Sequence, residues 1–84
     1  PNPFNPTTQI KFSIPKAGDS PGISKVKLIV YDALGRIVKT LLNSELAPGI
    51  YTVEFDAHDL NSGIYFYEIN YAGKRISKKM AIIK

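Results

Sequence analysis

The chain has 84 residues and a net charge of +4, and its length supports one domain with a modest hydrophobic core. A composition of 44% apolar and 21% charged residues is that of a globular protein and excludes intrinsic disorder. The chain lacks cysteine and any apolar stretch near the ~20 residues of a membrane helix, which excludes disulfides, thiolate chemistry and a membrane span.

The first residues are rich in proline, and a run that alternates apolar and polar residues follows them. Pro1, Pro3 and Pro6 restrict the backbone to extended conformations, so residues 1–7 are predicted to form a stiff lead from a missing upstream passenger. Residues 8–84 are predicted to form the domain, with Phe4 anchoring the lead to it. No signal-peptide pattern opens the chain, so we expect that an export signal, if the protein is exported, lies outside this chain or takes another form.

Alternation with period two is typical of half-buried strands, and no stretch repeats at the 3.6 residues of a helix. The last strand places Lys78 among apolar residues on one side, and strand 64–71 is expected to turn Tyr65, Tyr67 and Ile69 inward. The predicted strands cover residues 8–14, 25–30, 36–43, 51–56, 64–71 and 75–83.

Turn residues separate these strands, at 15–22, 32–35, 48–49, 61–63 and 72–74. Gly35 is expected to have a positive φ in a hairpin turn. Short antiparallel strands at regular spacing predict an all-β fold, an immunoglobulin-like β-sandwich of six or seven strands, with a small barrel as the alternative. The segment 61–67 is similar to a tyrosine corner, in which the hydroxyl of Tyr65 would bond to nearby backbone.

Residues that could support catalysis or bind a metal are few. His58 lies between Asp56 and Asp59, where a calcium loop is conceivable, but these residue types are common in turns and no metal or other cofactor is predicted. Glu54 and Asp56 alternate with apolar residues and should face solvent. No serine lies in a nucleophile motif, so the chain is not predicted to be an enzyme.

Basic residues concentrate in residues 74–84, which contain five basic residues and no acidic one, whereas the rest of the chain has six basic and seven acidic residues. Lysines on an edge strand can prevent sheet pairing or attract a partner, and both roles stay open. No nucleic-acid motif accompanies them, so nucleic-acid binding is not predicted. Tyr31, Tyr71 and Phe4 have no clear place in the core, which keeps a carbohydrate-binding or structural accessory module of a secreted multidomain enzyme as an alternative.

Three stretches cover essentially the whole chain: PNPFNPTTQIKFSIP, VKLIVYDALGRIVKTLLNSELAPGIYTVEFDA and LNSGIYFYEINYAGKRISKKMAIIK. In order and spacing they resemble the C-terminal sorting domains (type A) of the type IX secretion system of Gram-negative bacteria. A weaker resemblance is to the immunoglobulin-like domain of flagellar hook-capping proteins.

The first resemblance implies a secretion signal domain that targets a covalently linked N-terminal passenger to the type IX translocon in the outer membrane. It implies processing upstream of the domain by a sortase-like peptidase, transit through the periplasm, and a final place at the cell surface or outside the cell. It implies neither a cofactor nor catalysis.

The resemblance also places recognition by the translocon in the terminal strand. The matching residues there are Gly73, Lys74, Arg75, Lys78, Lys79, Met80 and Lys84. Other family-motif residues lie in the opening segment, the central hairpin and the turn before residue 65: Asn2, Pro3, Phe4, Tyr31, Asp32, Gly35, Arg36, Gly63 and Tyr65.

Overall fold

The computed structural model describes residues 7–16 and 22–84. All regular structure in these residues is β-strand, which confirms the predicted all-β class. The opening motif at Asn2, Pro3 and Phe4 lies outside the described residues, and the predicted lead and domain boundary stay predictions. The strands are β1 (Thr7–Ile14), β2 (Ser24–Asp32), β3 (Ile37–Leu46), β4 (Gly49–Asp56), β5 (Gly63–Tyr71) and β6 (Lys74–Ile82).

The strands form two antiparallel sheets around one core. The smaller sheet has the order β1-β4, and the larger sheet has the order β3-β2-β5-β6. Two residues between Leu46 and Gly49 carry the chain from the larger sheet to the smaller one. The architecture is therefore the predicted sandwich rather than the small barrel.

The centre of the core is the inner face of β2. Val26, Leu28 and Val30 alternate along this strand and are fully buried. The smaller sheet covers them with apolar side chains of β1 and β4, among which Phe55 is also fully buried. Burial of one such side chain contributes roughly 1.5–3 kcal/mol. The inner face of β2 therefore supplies a large part of the contact between the two sheets.

β3 is longer and less regular than predicted. It continues beyond residue 43 to Leu46, because its last residues pair with the first residues of β2, where Leu46 lies opposite Ser24. The β2–β3 pairing shifts register between Leu28 and Ile29 and again between Val30 and Tyr31. Each irregularity disturbs the alternation of side chains, which explains the uneven apolar pattern of this segment in the sequence.

The hairpin between β5 and β6 has a two-residue turn, Ala72 and Gly73, with φ angles of 49° and 76°. Positive φ at both central positions is the type I′ turn, whose twist matches that of antiparallel strands. Glycine adopts this conformation without steric cost, whereas an alanine there costs roughly 1–2 kcal/mol.

We expect Ala72→Asn to raise the free energy of unfolding by about 0.5–1 kcal/mol, because Asn followed by Gly is the preferred type I′ pair. Urea denaturation followed by circular dichroism measures the change. Gly73→Ala is the matched control and should lower the free energy of unfolding, since a Cβ at Gly73 meets no atom within 4 Å and only backbone strain is added. A destabilised Ala72→Asn variant would contradict this interpretation of the turn.

Candidate recognition surface

The β2–β3 hairpin is built around the carboxylate of Asp32. Its Oδ1 accepts hydrogen bonds from the backbone N–H groups of Leu34 at 2.9 Å and Arg36 at 3.0 Å, and its Oδ2 accepts one from Nε of Arg36 at 2.7 Å. These bonds, chiefly the one from the Arg36 N–H, lower the pKa of Asp32. Gly35 has a φ of 83°, as predicted. The family-motif residues Asp32, Gly35 and Arg36 therefore hold the turn in shape.

Two tyrosine hydroxyls donate hydrogen bonds to backbone carbonyls just before β4 and β5 begin. The hydroxyl of Tyr65 donates to the carbonyl of Asn61, four residues earlier, at 2.8 Å, which confirms the predicted tyrosine-corner contact. The hydroxyl of Tyr51 donates in the same way to the carbonyl of Ala47. Tyr65 is buried, so this family-motif residue holds the loop between β4 and β5 in place.

The side of the larger sheet that points away from the core is here called the outer face. Residues directly opposite each other on antiparallel strands point to the same face. Tyr31 lies opposite Phe66, and Phe66 lies opposite Lys79. Tyr31 and Lys79 therefore lie in one row of side chains that crosses β2, β5 and β6.

Glu68 connects side chains of three strands on the outer face. Its Oε1 accepts hydrogen bonds from the Tyr31 hydroxyl at 3.4 Å and from Nδ2 of Asn70 at 2.9 Å, and its Oε2 lies 3.6 Å from Nε of Arg75. Desolvation, together with the charge of Glu68, raises the pKa of Tyr31, and the charge of Arg75 opposes that rise.

A shallow cleft of about 330 Å³ lies between the β2–β3 hairpin and β6, and we call it the outer-face cleft. It brings hairpin residues of the family motif together with Arg75 of the terminal strand. Its lining residues are Tyr31, Asp32, Ala33, Gly35, Phe66, Glu68 and Arg75.

Exposed apolar side chains adjoin this cleft at the hairpin end of the sheet. Leu34 in the turn is 78% exposed, Ile37 at the start of β3 is 63% exposed, and Ile64 at the start of β5 is 41% exposed. Apolar groups gathered at a surface mark interaction sites more often than polar surface does. The outer-face cleft therefore combines an apolar part with charged groups, as binding surfaces do.

Phe66 and Glu68 line the cleft but are absent from the site residues predicted from the sequence. The alternation of side chains along β5 could have identified both residues in the sequence. Tyr65, Tyr67 and Ile69 point inward on the same strand, so the residues between them must point outward. Only the pairing of β5 with both β2 and β6 places them beside Tyr31 and Arg75.

The residues predicted on the terminal strand do not form one surface. Arg75 and Lys79 point to the outer face, whereas Lys78 and Met80 point to the core side of the sheet. Met80 packs against the core, and Lys78 lies opposite Tyr67 but is exposed. The alternation therefore divides the basic residues of β6 between two faces.

The remaining predicted residues of the terminal segment lie at its two ends. Gly73 and Lys74 line a second cleft of about 380 Å³ together with Lys25 and Lys27 of β2, and this cleft adjoins the outer-face cleft at Arg75, which lines both. At the other end, the ammonium group of Lys84 donates to a backbone carbonyl, that of His58. Lys84 therefore connects the residues after β6 to the loop between β4 and β5 by a hydrogen bond.

The carboxylates beside His58 take part in local contacts. Oδ1 of Asp56 accepts the His58 backbone N–H at 3.0 Å, which lowers the pKa of Asp56. Asp59 pairs with Lys39 at 3.1 Å, which lowers the pKa of Asp59. No group of three or more potential metal-ligating side chains occurs within residues 7–16 and 22–84.

Two of the aromatic residues considered for sugar binding lie on opposite sides of the larger sheet. Tyr31 shares the outer face with Phe66, whereas Tyr71 packs against the core. The third, Phe4, lies outside the described residues. Tyr31 and Tyr71 therefore do not form one binding platform.

Two facing antiparallel sheets make the domain a β-sandwich, and the tyrosine corner at the start of β5 is a feature of immunoglobulin-like domains. The described residues contain no helix long and apolar enough to cross a membrane. Comparison with known protein families matches residues 1–84 to the secretion system C-terminal sorting domain. The chain therefore belongs to the family of C-terminal sorting domains of the type IX secretion system, as the motifs in its sequence implied.

Searches of curated proteins and of solved structures found no significant match. A domain of this family is a C-terminal sorting signal for type IX secretion and is not itself catalytic. Membership implies interaction with the type IX machinery and export to the cell surface or outside the cell.

The hairpin geometry predicts a pH-dependent stability. Because the folded-state pKa of Asp32 lies below its ordinary value of 3.8, the ionised carboxylate stabilises the fold above that value, and this contribution is lost as the pH falls through the folded-state pKa. Asp32→Asn should therefore have a lower Tm than the parent at neutral pH, and the difference in Tm should become smaller at about pH 2. Thermal melts test this, with the exposed Glu54→Gln as control. A Tm difference that did not change with pH would contradict the role of the charge.

The contacts of Glu68 predict opposite effects of two substitutions on Tyr31. Glu68→Gln should lower the pKa of Tyr31 toward its ordinary value of 10.0, because a negative charge that disfavours tyrosinate is removed. Arg75→Gln should raise the pKa of Tyr31, because a positive charge is removed. An NMR titration of the Tyr31 ring carbon resonance measures both. Shifts of the same sign in the two variants would be inconsistent with this geometry.

Proposed function

We propose that this domain targets an attached N-terminal passenger protein to the type IX translocon in the outer membrane, and that the translocon recognises the outer-face cleft and the basic side chains of β6. The main support is the family match over the whole chain. The second support is the position of the family-motif hairpin, which lines one cleft with Arg75 of the terminal strand.

Recognition by this surface would use charge and apolar contact together. Arg75 and Lys79 are exposed on the outer face and attract an acidic partner at long range, which raises the rate of association. Tyr31 and Phe66 are partly exposed beside them and supply the aromatic contact area that stabilises a docked complex.

The later steps of the proposal rest on family membership. The passenger reaches the periplasm, the folded domain is recognised at the outer membrane, and a sortase-like peptidase cuts upstream of the domain. The passenger then becomes attached to the cell surface or is released. The domain acts as a signal and as a substrate throughout.

The fold limits how this function can be tested. Deleting residues 74–84 would remove all of β6, including the buried Ile82, and would therefore disrupt the core as well as the surface. Substitutions of exposed side chains separate recognition from folding, because surface changes of this kind usually alter stability by no more than about 0.5 kcal/mol.

We expect Arg75→Ala combined with Lys79→Ala to reduce export of a passenger fused to this chain. The matched control is Lys25→Ala combined with Lys27→Ala, which removes the same charge from the same face but from β2. A type IX-competent bacterium would produce a fluorescent passenger that carries a signal peptide and this domain. The ratio of extracellular or surface to periplasmic fluorescence should fall several-fold for the β6 variant and remain near that of the parent for the control.

Two results would contradict the proposal. Normal export of the β6 variant, with an unchanged Tm, would exclude these side chains as determinants of recognition. Equal loss of export in both variants would point to the overall charge of the face rather than to β6. Mass spectrometry of the exported passenger tests the processing step, which predicts a passenger that lacks this domain.

A further inference from the structure

The two sheets of the sandwich differ in width, and the smaller one leaves part of the core uncovered. Strands within a sheet lie about 4.8 Å apart, so two strands cover about half of a four-stranded sheet. On the core side, Leu28 of β2 is fully buried and Ile69 of β5 is 5% exposed. Ile76 of β6, directly opposite Ile69, is 42% exposed. Within residues 7–16 and 22–84, the cover therefore ends before the middle of β6, although Ile82 near the end of that strand is only 6% exposed.

Among residues 7–16 and 22–84, β1 is paired on one edge only, to β4. An elongated opening lies between its other edge and the core side of β6, and we call it the strand slot. It consists of two clefts, of about 410 and 230 Å³, that share Tyr67 as a lining residue. Met80 lines one end of the slot, and Ile76 and Lys78 line the other end, beside Lys11 of β1.

The edge of β1 that borders the slot has few of the features that usually block strand pairing. β3, at one edge of the larger sheet, has two register shifts, and β6, at the other edge, carries four basic residues. β1 pairs with β4 without a register shift, contains no proline and has Lys11 as its single charged residue. A long, regular edge of this kind is a template for an added strand.

We propose that the strand slot binds an extended segment of a different protein in which apolar side chains alternate with acidic ones. The bound segment pairs with β1 and widens the smaller sheet to three strands, so that the cover extends over β6. This surface lies on the core side of the larger sheet, opposite the outer-face cleft, and the proposal does not depend on the proposed function.

The chemistry of the slot selects an acidic occupant. Side chains of the added strand that point inward would contact Ile76, Met80 and Tyr67, which are all partly or largely exposed. Side chains that point outward would lie beside Lys11, which alternates with the buried residues of β1. Lys78 lies in the same row as Ile76 and Met80 and is exposed, so it adds positive charge to the slot itself. No carboxylate is among the described lining residues. Apolar residues inward and acidic residues outward therefore complement the slot.

The test uses the 84-residue chain and two synthetic peptides. The first is an acetylated, amidated peptide of the length of β1, eight residues, in which valine alternates with glutamate. The second has lysine in place of glutamate. We expect the glutamate peptide to bind saturably, to shift amide NMR signals of β1 and β6, and to slow hydrogen exchange at alternate amides of β1. The lysine peptide should bind at least about fivefold more weakly, and added salt should weaken binding of the glutamate peptide.

Neighbouring residues of β6 provide matched variants. Lys78→Glu should weaken binding of the glutamate peptide by about fivefold, whereas Lys79→Glu, which makes the same change on the outer face, should leave it nearly unchanged. Ile76→Ser should also weaken binding. Its control is Ile37→Ser, an exposed isoleucine on β3. Thermal melts of each variant verify that it is folded.

Several results would overturn the proposal. Equal binding of both peptides would exclude an acidic occupant, and an absence of β1 protection at saturating peptide would exclude pairing with β1. Protection of the same β1 amides by self-association of the chain would identify a second copy as the occupant. Protection in a longer chain that carries its natural upstream segment, before peptide is added, would show that the slot is filled from within.

Discussion

Burial of one face of β2 is the constraint on which the rest of this structure depends. β2 has paired neighbours on both sides and carries Val26, Leu28 and Val30 into the centre of the core. Because side chains alternate along a strand, this burial sends Tyr31 to the opposite face. The outer-face cleft thus lies on one face of β2, and the other face of β2 forms the centre of the core. A change in the register of β2 would alter both the cleft and the core.

The unequal width of the two sheets has a second consequence, at β6. A strand covered on one face would present its polar residues to one side and its apolar residues to the other, as β1 and β4 do. β6 lies beyond the edge of the smaller sheet, so both of its faces are accessible near the middle of the strand. Lys79 points to the outer face and Lys78 to the strand slot. A single basic strand can therefore contribute to two separate surfaces.

The family-motif residues divide into those that shape the domain and those that are presented to solvent. The carboxylate of Asp32 and the positive φ of Gly35 define the hairpin, and the hydroxyl of Tyr65 fastens a loop. Tyr31 and Arg75, by contrast, line the outer-face cleft and share contacts with Glu68. The residues of the motif thus include local structural anchors as well as exposed side chains.

Local chemistry in the sequence determined the strands, the turns and several contacts of this domain. Alternation, the glycine at position 35 and the tyrosine at position 65 each act within a few residues, so the six strands, the positive φ and the tyrosine-corner bond could be predicted. Only the tertiary structure decided that Phe66 and Glu68 join the hairpin and β6 in one cleft, and that the edge of β1 beside β6 has no paired strand in the described part of the chain. Those features depend on which strands pair and how far one sheet covers the other, and both are set by contacts between residues distant in sequence.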